Sequence, residues 1–465
     1  MGERCDWPLF ALLRSRPGLA LHLPAHGRGR ALAPELRRLL RRPAGSWDLP
    51  ELPALGGPLE QEGAVAEAQA ACAALLGADR CWFGVNGASG LLQAALLGLA
   101  PPGSRVLLPR NLHRSLLHGC VLGQLEPLLF DLPFDPSSGL WLPITPTHLE
   151  RVLEQALPLR PAALVLVDPT YQGQAADLAG LVATLRRLAP DLPLLVDQAH
   201  GDGSALEAGA DLVVLSLQKA ATGLAQSAAL LQRGTRLDLT QLQRSLLWLQ
   251  TSSPSALLLA STAAAIAHGR SAAGQRQRQR AVARALALRQ RLEGLGFTLV
   301  DGQDPLRLVL NTAALGFNGV EADGWLLERG VVAELPEPGA ITFCLGLGAP
   351  AGLVARLPPQ LVALRQALGG PAWGPFEPPP LPLLGRPERG VGEAWRSRSE
   401  PVPLAEAAGR IAAEPLCPYP PGIPLLIPGE RIDGPRAAWL ARQQRRWPGQ
   451  IADSVNVVAS DQGGR

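Results

Sequence analysis

Lysine is almost missing from this chain. Of 43 basic residues, one is lysine, Lys219, and 42 are arginine. Methionine occurs once, tyrosine twice, and aromatic residues make up 4%. Charged residues are scarce at 18%, and the net charge is only +3. That balance argues against a dedicated binder of nucleic acid or of a membrane surface. No apolar run reaches the length of a membrane span. The opening segment, MGERCDWPLFALLRSRPG, has no apolar core long enough for a secretory signal. The six cysteines (Cys5, Cys72, Cys81, Cys120, Cys344, Cys417) are scattered and form no C-x-x-C pair. A disulfide framework and a zinc site therefore both lack support. The expectation is a soluble cytoplasmic protein without a metal. Wholesale disorder is excluded, because 47% of the 465 residues are hydrophobic.

The scarcity of lysine makes the exception informative. A GC-rich genome drifts from lysine to arginine wherever arginine suffices, as it does at most solvated sites. Arginine fails where a deprotonated amine must attack a carbonyl, because guanidinium stays charged. Schiff-base chemistry is such a place.

The organisation reads as α/β. Residues 1–55 are rich in Arg, Pro and Leu and suggest an irregular arm with short helices. Residues 61–77 are Ala-rich and helical. Short apolar runs then alternate with helical patterns at 105–109, 126–130, 162–167, 193–196, 212–216 and 227–231. Buried parallel strands, apolar on both faces, look like this. The expected division is a large α/β domain at 56–260 with a mostly parallel sheet, and a smaller α/β domain at 261–370. A Pro-rich linker follows at 371–399, then a C-terminal module and tail at 400–465 whose last fifteen residues look frayed. A helical region at 254–294 contains RQRQRAVARALALRQRL (276–292). A solvated helix face explains those arginines better than a nucleic-acid site does.

Ligands bind beyond the carboxyl ends of the strands in a doubly wound sheet. Asp168 ends ALVLV, Asp197 ends PLLV and opens Asp197-Gln198-Ala199-His200-Gly201, and Ser216 ends LVVL three residues before Lys219. Asp197, His200, Ser216 and Lys219 can thus converge on one rim. A carboxylate beside a lysine amine suggests pyridoxal 5'-phosphate, which needs an amine for its aldehyde and an acid at its ring nitrogen. The turn Asn86-Gly87-Ala88-Ser89-Gly90 opens a helix and offers backbone N–H groups and a hydroxyl to a phosphate. His113, in RNLHRS after another strand, can lie on the cofactor ring.

These residues, in this order, resemble the fold-type I pyridoxal-phosphate enzymes, and among them the Orn/Lys/Arg decarboxylase family. PAHGRG (24–29) is similar to the family's P-G-H-K-x-G, and LPRNLHRS (108–115) to R-N-x-H-K-S. DPTYQG (168–173) is similar to P-T-Y-x-G, and VDQAHG to D-E-A-H-G. SLQKAATGL is similar to S-T-H-K-T-L, and TSSPS (251–255) matches T-S-S-P-S. GRIAAEPLCPYPPGIPLLIPGERI (409–432) is similar to the C-terminal module, which generic aminotransferases lack.

The resemblance implies α-decarboxylation of lysine, arginine or ornithine to a polyamine-type amine, by a homodimer without the receiver-like wing domain of the long bacterial members. It implies that Lys219 carries the cofactor, Asp197 pairs with its ring nitrogen and His113 stacks on the ring. His200 would bond cofactor or substrate, and Gly87, Ala88, Ser89 and Ser216 would hold the phosphate, with Gln218 beside them. Tyr171 and Glu430, and more loosely Glu414, are candidates near the substrate. Gln198, Gln218, Ala88 and Ala25 depart from the family's usual Glu, His, Thr and Gly. The alternatives are an aminotransferase or α-oxoamine synthase-like enzyme, and a catalytically weak cofactor-binding protein.

Overall fold

A computed structural model describes residues 8–15, 18–50, 52–417 and 423–460. Cys5 and residues 418–422 of the C-terminal motif lie outside them. The apolar runs form the strands of one central sheet: β1 (Arg80–Gly84), β2 (Arg105–Pro109), β3 (Glu126–Phe130), β4 (Ala163–Val167), β5 (Leu194–Gln198), β6 (Leu212–Ser216) and β7 (Ala228–Gln232). Their spatial order is 3-2-4-5-6-7-1. Strands β3, β2, β4, β5 and β6 run parallel, whereas β7 is antiparallel to both neighbours. Parallel neighbours require crossovers, and helices supply them. They include α1 (Ala64–Leu76), α2 (Gly87–Leu99), α3 (Arg114–Gly123), α4 (Pro146–Ala156) and α5 (Leu178–Leu188).

Two buried clusters fill the two faces of this sheet. Leu107, Leu164 and Val196 belong to one and Val106, Val165 and Leu195 to the other. The strands are apolar throughout because neither face meets water. Each fully buried Leu or Val contributes about 1.5–3 kcal/mol.

After α6 (Leu239–Leu249), the predicted helical region is two helices, α7 (Ala256–Arg270) and α8 (Ala272–Gly294). Leu259, Ala265 and Ile266 of α7 pack in the large domain's core, whereas Ala281, Ala285 and Leu288 of α8 start a separate one. The packing therefore divides near Ser271, which N-caps α8, rather than at 260. The second core covers a three-stranded antiparallel sheet of β8 (Arg307–Asn311), β9 (Leu335–Glu337) and β10 (Ala340–Cys344), with β10 in the middle. Leu19–Ala20 of the N-terminal arm pairs with Val331–Val332 of this domain.

Two expectations about irregular segments are corrected. The Pro-rich 371–399 segment contains an edge strand, β11 (Leu384–Gly385), paired to Phe130 and Leu129, and a short helix, Val391–Arg396. The strand pairing offsets the high proline content, because an edge strand needs hydrogen bonds on one side only. The tail is also partly regular: β13 (Ser454–Val458) pairs with β12 (Ser399–Pro403) and packs with α9 (Gly434–Arg446) in a C-terminal core. No helix among the described residues is long and apolar enough to cross a membrane.

Candidate active site

Strand register builds the site. Val167 pairs with Asp197, Asp197 with Val214 and Gln198 with Leu215, so the carboxyl ends of β4, β5 and β6 lie level. Ser216 pairs with Ala228, and Ala228 with Gly84 across β7. The turn after β1 and the end of β6 thus share the same rim, two strand spacings apart, roughly 10 Å. Lys219 follows in a single helical turn, Leu217–Ala220. That turn is pinned by Leu217 N donating to Ser227 O at 3.0 Å and by Ala25 N donating to the Gln218 carbonyl at 2.8 Å. The PAHGRG loop therefore abuts the lysine. It can do so because Gly27 has φ +57 and lies against Gly348, where a Cβ would come 2.1 Å from a carbonyl oxygen.

The polar contacts converge on Lys219. Its Nζ lies 3.2 Å from His200 Nε2. On the other side of the imidazole, Arg307 Nη2 lies 3.2 Å from His200 Nδ1. Guanidinium can only donate, so Nδ1 accepts, and a neutral His200 carries its hydrogen on Nε2. Nε2–H then donates to Lys219, which must offer a lone pair. The charge preferences agree with this arrangement. Burial lowers the Lys219 amine, against raising by Asp197 and Glu334. Burial also pulls His200 well below its ordinary value, helped by Lys219, Arg307 and His113. The geometry thus favours the free-base form of Lys219 as the partner of His200, and burial shifts the amine in the same direction.

Asp197 is buried, and its Oδ1 accepts from the Ala199 amide at 3.0 Å. Among the described residues its other oxygen has no hydrogen-bond partner. Burial raises its carboxyl, opposed by that amide and by Lys219. His113 caps α3, accepting from Ser115 N at 3.2 Å, and its Nδ1 is 2.7 Å from Ser115 Oγ. Burial lowers it to about 4, with the Lys219 charge next in effect. Gly87, at φ +66, turns the chain into α2. The Ala88 and Ser89 amides then lie in the first helical turn, where no preceding turn supplies carbonyls. Ser216 is buried at the end of β6. This donor set fits pyridoxal phosphate: a neutral amine, a buried carboxyl with a free oxygen, a neutral imidazole and a helix N-terminus for the phosphate.

Tyr171 stands over His200 with ring centroids 4.4 Å apart, and Lys219 Nζ is 5.7 Å from its ring centroid. Its hydroxyl donates to Glu334 of the small domain. Glu430 lies elsewhere, and this corrects its placement near the substrate. Its two oxygens pair with Arg110 at 2.6 and 3.0 Å, and it also accepts from Arg436 Nη1 at 3.3 Å and Ile427 N at 2.9 Å. Arg110 is fully buried. Glu430 therefore locks the C-terminal module onto the large domain. Glu414 accepts from Asn456 on the exposed side of that module.

The departing residues have local explanations. Gln198 Oε1 accepts from Ala205 N and its Nε2 donates to Ser204 Oγ at 3.3 Å, a donation glutamate could not make. Gln218 contributes its backbone carbonyl to the Ala25 contact. The sequence reading missed Arg307 and Glu334. One arginine among 42 carries no signal, and Glu334 sits in an unremarked run, VVAELPEPG. Among the described residues no cluster of metal-ligating side chains occurs, and Cys72, Cys81, Cys120, Cys344 and Cys417 are free.

Residues 14–303 match the Orn/Lys/Arg decarboxylase major domain, and residues 382–460 match the Orn/Lys/Arg decarboxylase C-terminal domain. The chain belongs to the Orn/Lys/Arg decarboxylase family. It is 31% identical to an arginine decarboxylase of Bacillus subtilis over 92% of this chain and 91% of that one. Its fold is shared with the constitutive lysine decarboxylase of E. coli, with a TM-score of 0.73 at 19% identity over 97% of this chain and 81% of that chain. A structure of SPT with PLP shares the fold more distantly, with a TM-score of 0.57 at 17% identity over 76% of this chain and 87% of that one. The chain is a fold-type I, pyridoxal-phosphate-dependent decarboxylase of the basic amino-acid class.

Proposed function

We propose that this decarboxylase acts on arginine and releases agmatine for polyamine synthesis, as a cytoplasmic homodimer. The observation that carries the substrate is the 31% identity to an arginine decarboxylase over more than nine-tenths of both chains. The lysine decarboxylase of shared fold is far less similar in sequence, at 19%. A homodimer is supported by Leu247 and Trp248, adjacent and 64% and 68% exposed. They lie on α6, whose Leu246 and Leu249 line the same recess as Gly87.

Each residue has a role in this reading. Bound pyridoxal phosphate supplies an electron sink for the pair left when the carboxylate departs. Lys219 would hold it through the neutral amine described above. Asp197 would hold a proton at the ring nitrogen with its free oxygen, and His113 would cover the ring. The Ala88 and Ser89 amides, the Gly87 turn and Ser216 would take the phosphate. Once freed and protonated, the Lys219 amine would be the acid that returns a proton to Cα. His200, held by Arg307, keeps that amine oriented. Arg307 is 5% exposed, and its Nε has no partner. It lines a cleft of about 720 Å³, including the open mouth, together with Lys219 and His200. A guanidinium there suits the substrate's α-carboxylate.

Arg307 also gives a second reading some support, since a carboxylate-clamping arginine serves transamination too. One experiment decides. Enzyme, cofactor and arginine, lysine or ornithine are incubated separately, and products are read by mass spectrometry. Agmatine from arginine, in excess over cadaverine and putrescine, is the expected result. A 2-oxo acid without amine would replace decarboxylation by transamination.

A further inference from the structure

Arginine carries a cation at its far end, and the enzyme must tell it from a neutral analogue. Glu430 is excluded by its ion pairs and Glu414 by its place in the exposed C-terminal module. Asp197 serves the ring nitrogen. Asp168 accepts from Ala176 N at 2.6 Å, and burial raises its carboxyl to about 6. Asp202 and Asp304 cap turns, accepting from Ser204 N and Leu306 N.

Glu334 is different in kind. It immediately precedes β9 on the small-domain sheet and is half-buried. Its carboxylate accepts from two neutral donors, the Tyr171 hydroxyl on one oxygen and Leu23 N at 2.7 Å on the other. A carboxylate has about four acceptor positions, so one position on each oxygen remains. That pattern matches the paired donors of a guanidinium. Among the described residues no cation pairs with Glu334. By contrast, Asp211 and Glu430 each draw two arginines. The Glu334 charge nonetheless bears on Lys219.

Its position relative to Arg307 completes the argument. Arg307 pairs with Cys344 of β10, and Glu334 N donates to Thr342 O on the opposite edge of that strand. The two opposite charges therefore flank β10, on strands roughly 10 Å apart. Both reach the large domain, Arg307 at His200 and Glu334 at Tyr171. An extended arginine presents its carboxylate and its guanidinium with a comparable separation.

We propose that Glu334 is the specificity residue of this site and receives the guanidinium of the substrate, with Tyr171 holding its carboxylate in place. The inference rests on the arginine reading above, and its test separates the two. Holoenzyme is assayed with arginine and with citrulline, which replaces the guanidinium by a neutral urea of the same shape. Wild-type enzyme that makes no agmatine removes the arginine reading itself. Otherwise the wild type favours arginine, and Glu334→Gln lowers kcat/KM for arginine by about 10- to 100-fold, as expected for loss of one partner of a partly desolvated charge pair. Citrulline turnover changes by less than about threefold, so the selectivity ratio collapses. Glu334→Asp keeps the charge and restores most of the selectivity at a raised KM. A purely structural Glu334 would lower both substrates together and leave the ratio intact, and that result overturns the proposal. So does a ratio that survives Glu334→Gln but falls in Asp304→Asn.

Discussion

Glu430→Gln should unfold the enzyme more easily without changing what it does. The substitution keeps shape and one acceptor but removes the charge that neutralises Arg110. Arg110 is fully buried and Glu430 is 2% exposed, with contacts of 2.6 and 3.0 Å. Burial pushes the Glu430 carboxyl up, yet Arg110, Arg436 and the Ile427 amide together outweigh it and the net shift is downward. Removing one partner of a buried pair costs about 3–5 kcal/mol, because the remaining charge is left uncompensated. A second guanidinium, Arg436, 8% exposed, would then face Arg110 unscreened. With about 2–4 °C per kcal/mol for a unit of 150–250 residues, the transition should fall by roughly 6–20 °C. Calorimetry of the holoenzyme measures this. At 25 °C the folded variant should retain kcat/KM for arginine within about threefold, because Glu430 touches neither Lys219 nor His200. Arg110→Met combined with Glu430→Met should recover much of the loss, since a buried ion pair is often replaceable by apolar groups. A Glu430→Gln enzyme that melts with the wild type but loses turnover would refute the structural role and return Glu430 to the reaction.

Lys219→Ala should leave no borohydride-fixable cofactor and no agmatine, since no other lysine exists; a retained fixed cofactor on the mass spectrum contradicts the assignment. Arg307→Gln should raise KM for arginine and citrulline alike by about tenfold or more, unlike Glu334→Gln; a selective loss would separate Arg307 from the carboxylate. Glu337 is 3% exposed with Gln172 Nε2 at 2.8 Å, and burial raises its carboxyl to about 7. The folded state thus binds a proton that the unfolded chain releases between the ordinary value of 4.5 and about 7. Stability from this group is full below that window and lost as pH rises through it. Glu337→Gln should therefore gain up to roughly 3 kcal/mol over the wild type above pH 7 and little below pH 4.5, as read by denaturant midpoints across pH. Sedimentation of the holoenzyme should give a dimer, and Trp248→Glu should shift it toward monomer.

Much of the site was legible in the sequence because it is written in local signals. Apolar runs mark buried strands, and the residue just past each run lies on the binding rim. Asp197, Ser216 and Lys219 could be placed in this way without coordinates. The lone lysine stood out because arginine cannot replace a nucleophilic amine. Helix α2 and its Gly87 turn were equally local. The proline count misled at 384–385, where pairing with Phe130 and Leu129 makes a strand, and the frayed tail expected over the last fifteen residues is a strand at 454–458, where the partner is 399–403.

The remaining assignments depended on pairings between distant residues. Arg307 reaches His200 from a strand 107 positions away, and Tyr171 meets Glu334 at a separation of 163. Arg110 finds Glu430 across 320 residues. No periodicity encodes such pairs, because an arginine's role is set by whether its donors meet solvent, a carbonyl or a carboxylate. The sequence by itself determined the strand ends and the residues that follow them, Asp197, Ser216 and Lys219, since backbone geometry and side-chain chemistry fix these residue by residue. The tertiary structure alone decided which of 42 arginines line the cleft, Arg278 and Arg307, which glutamate is a lock, and which is left without a cation.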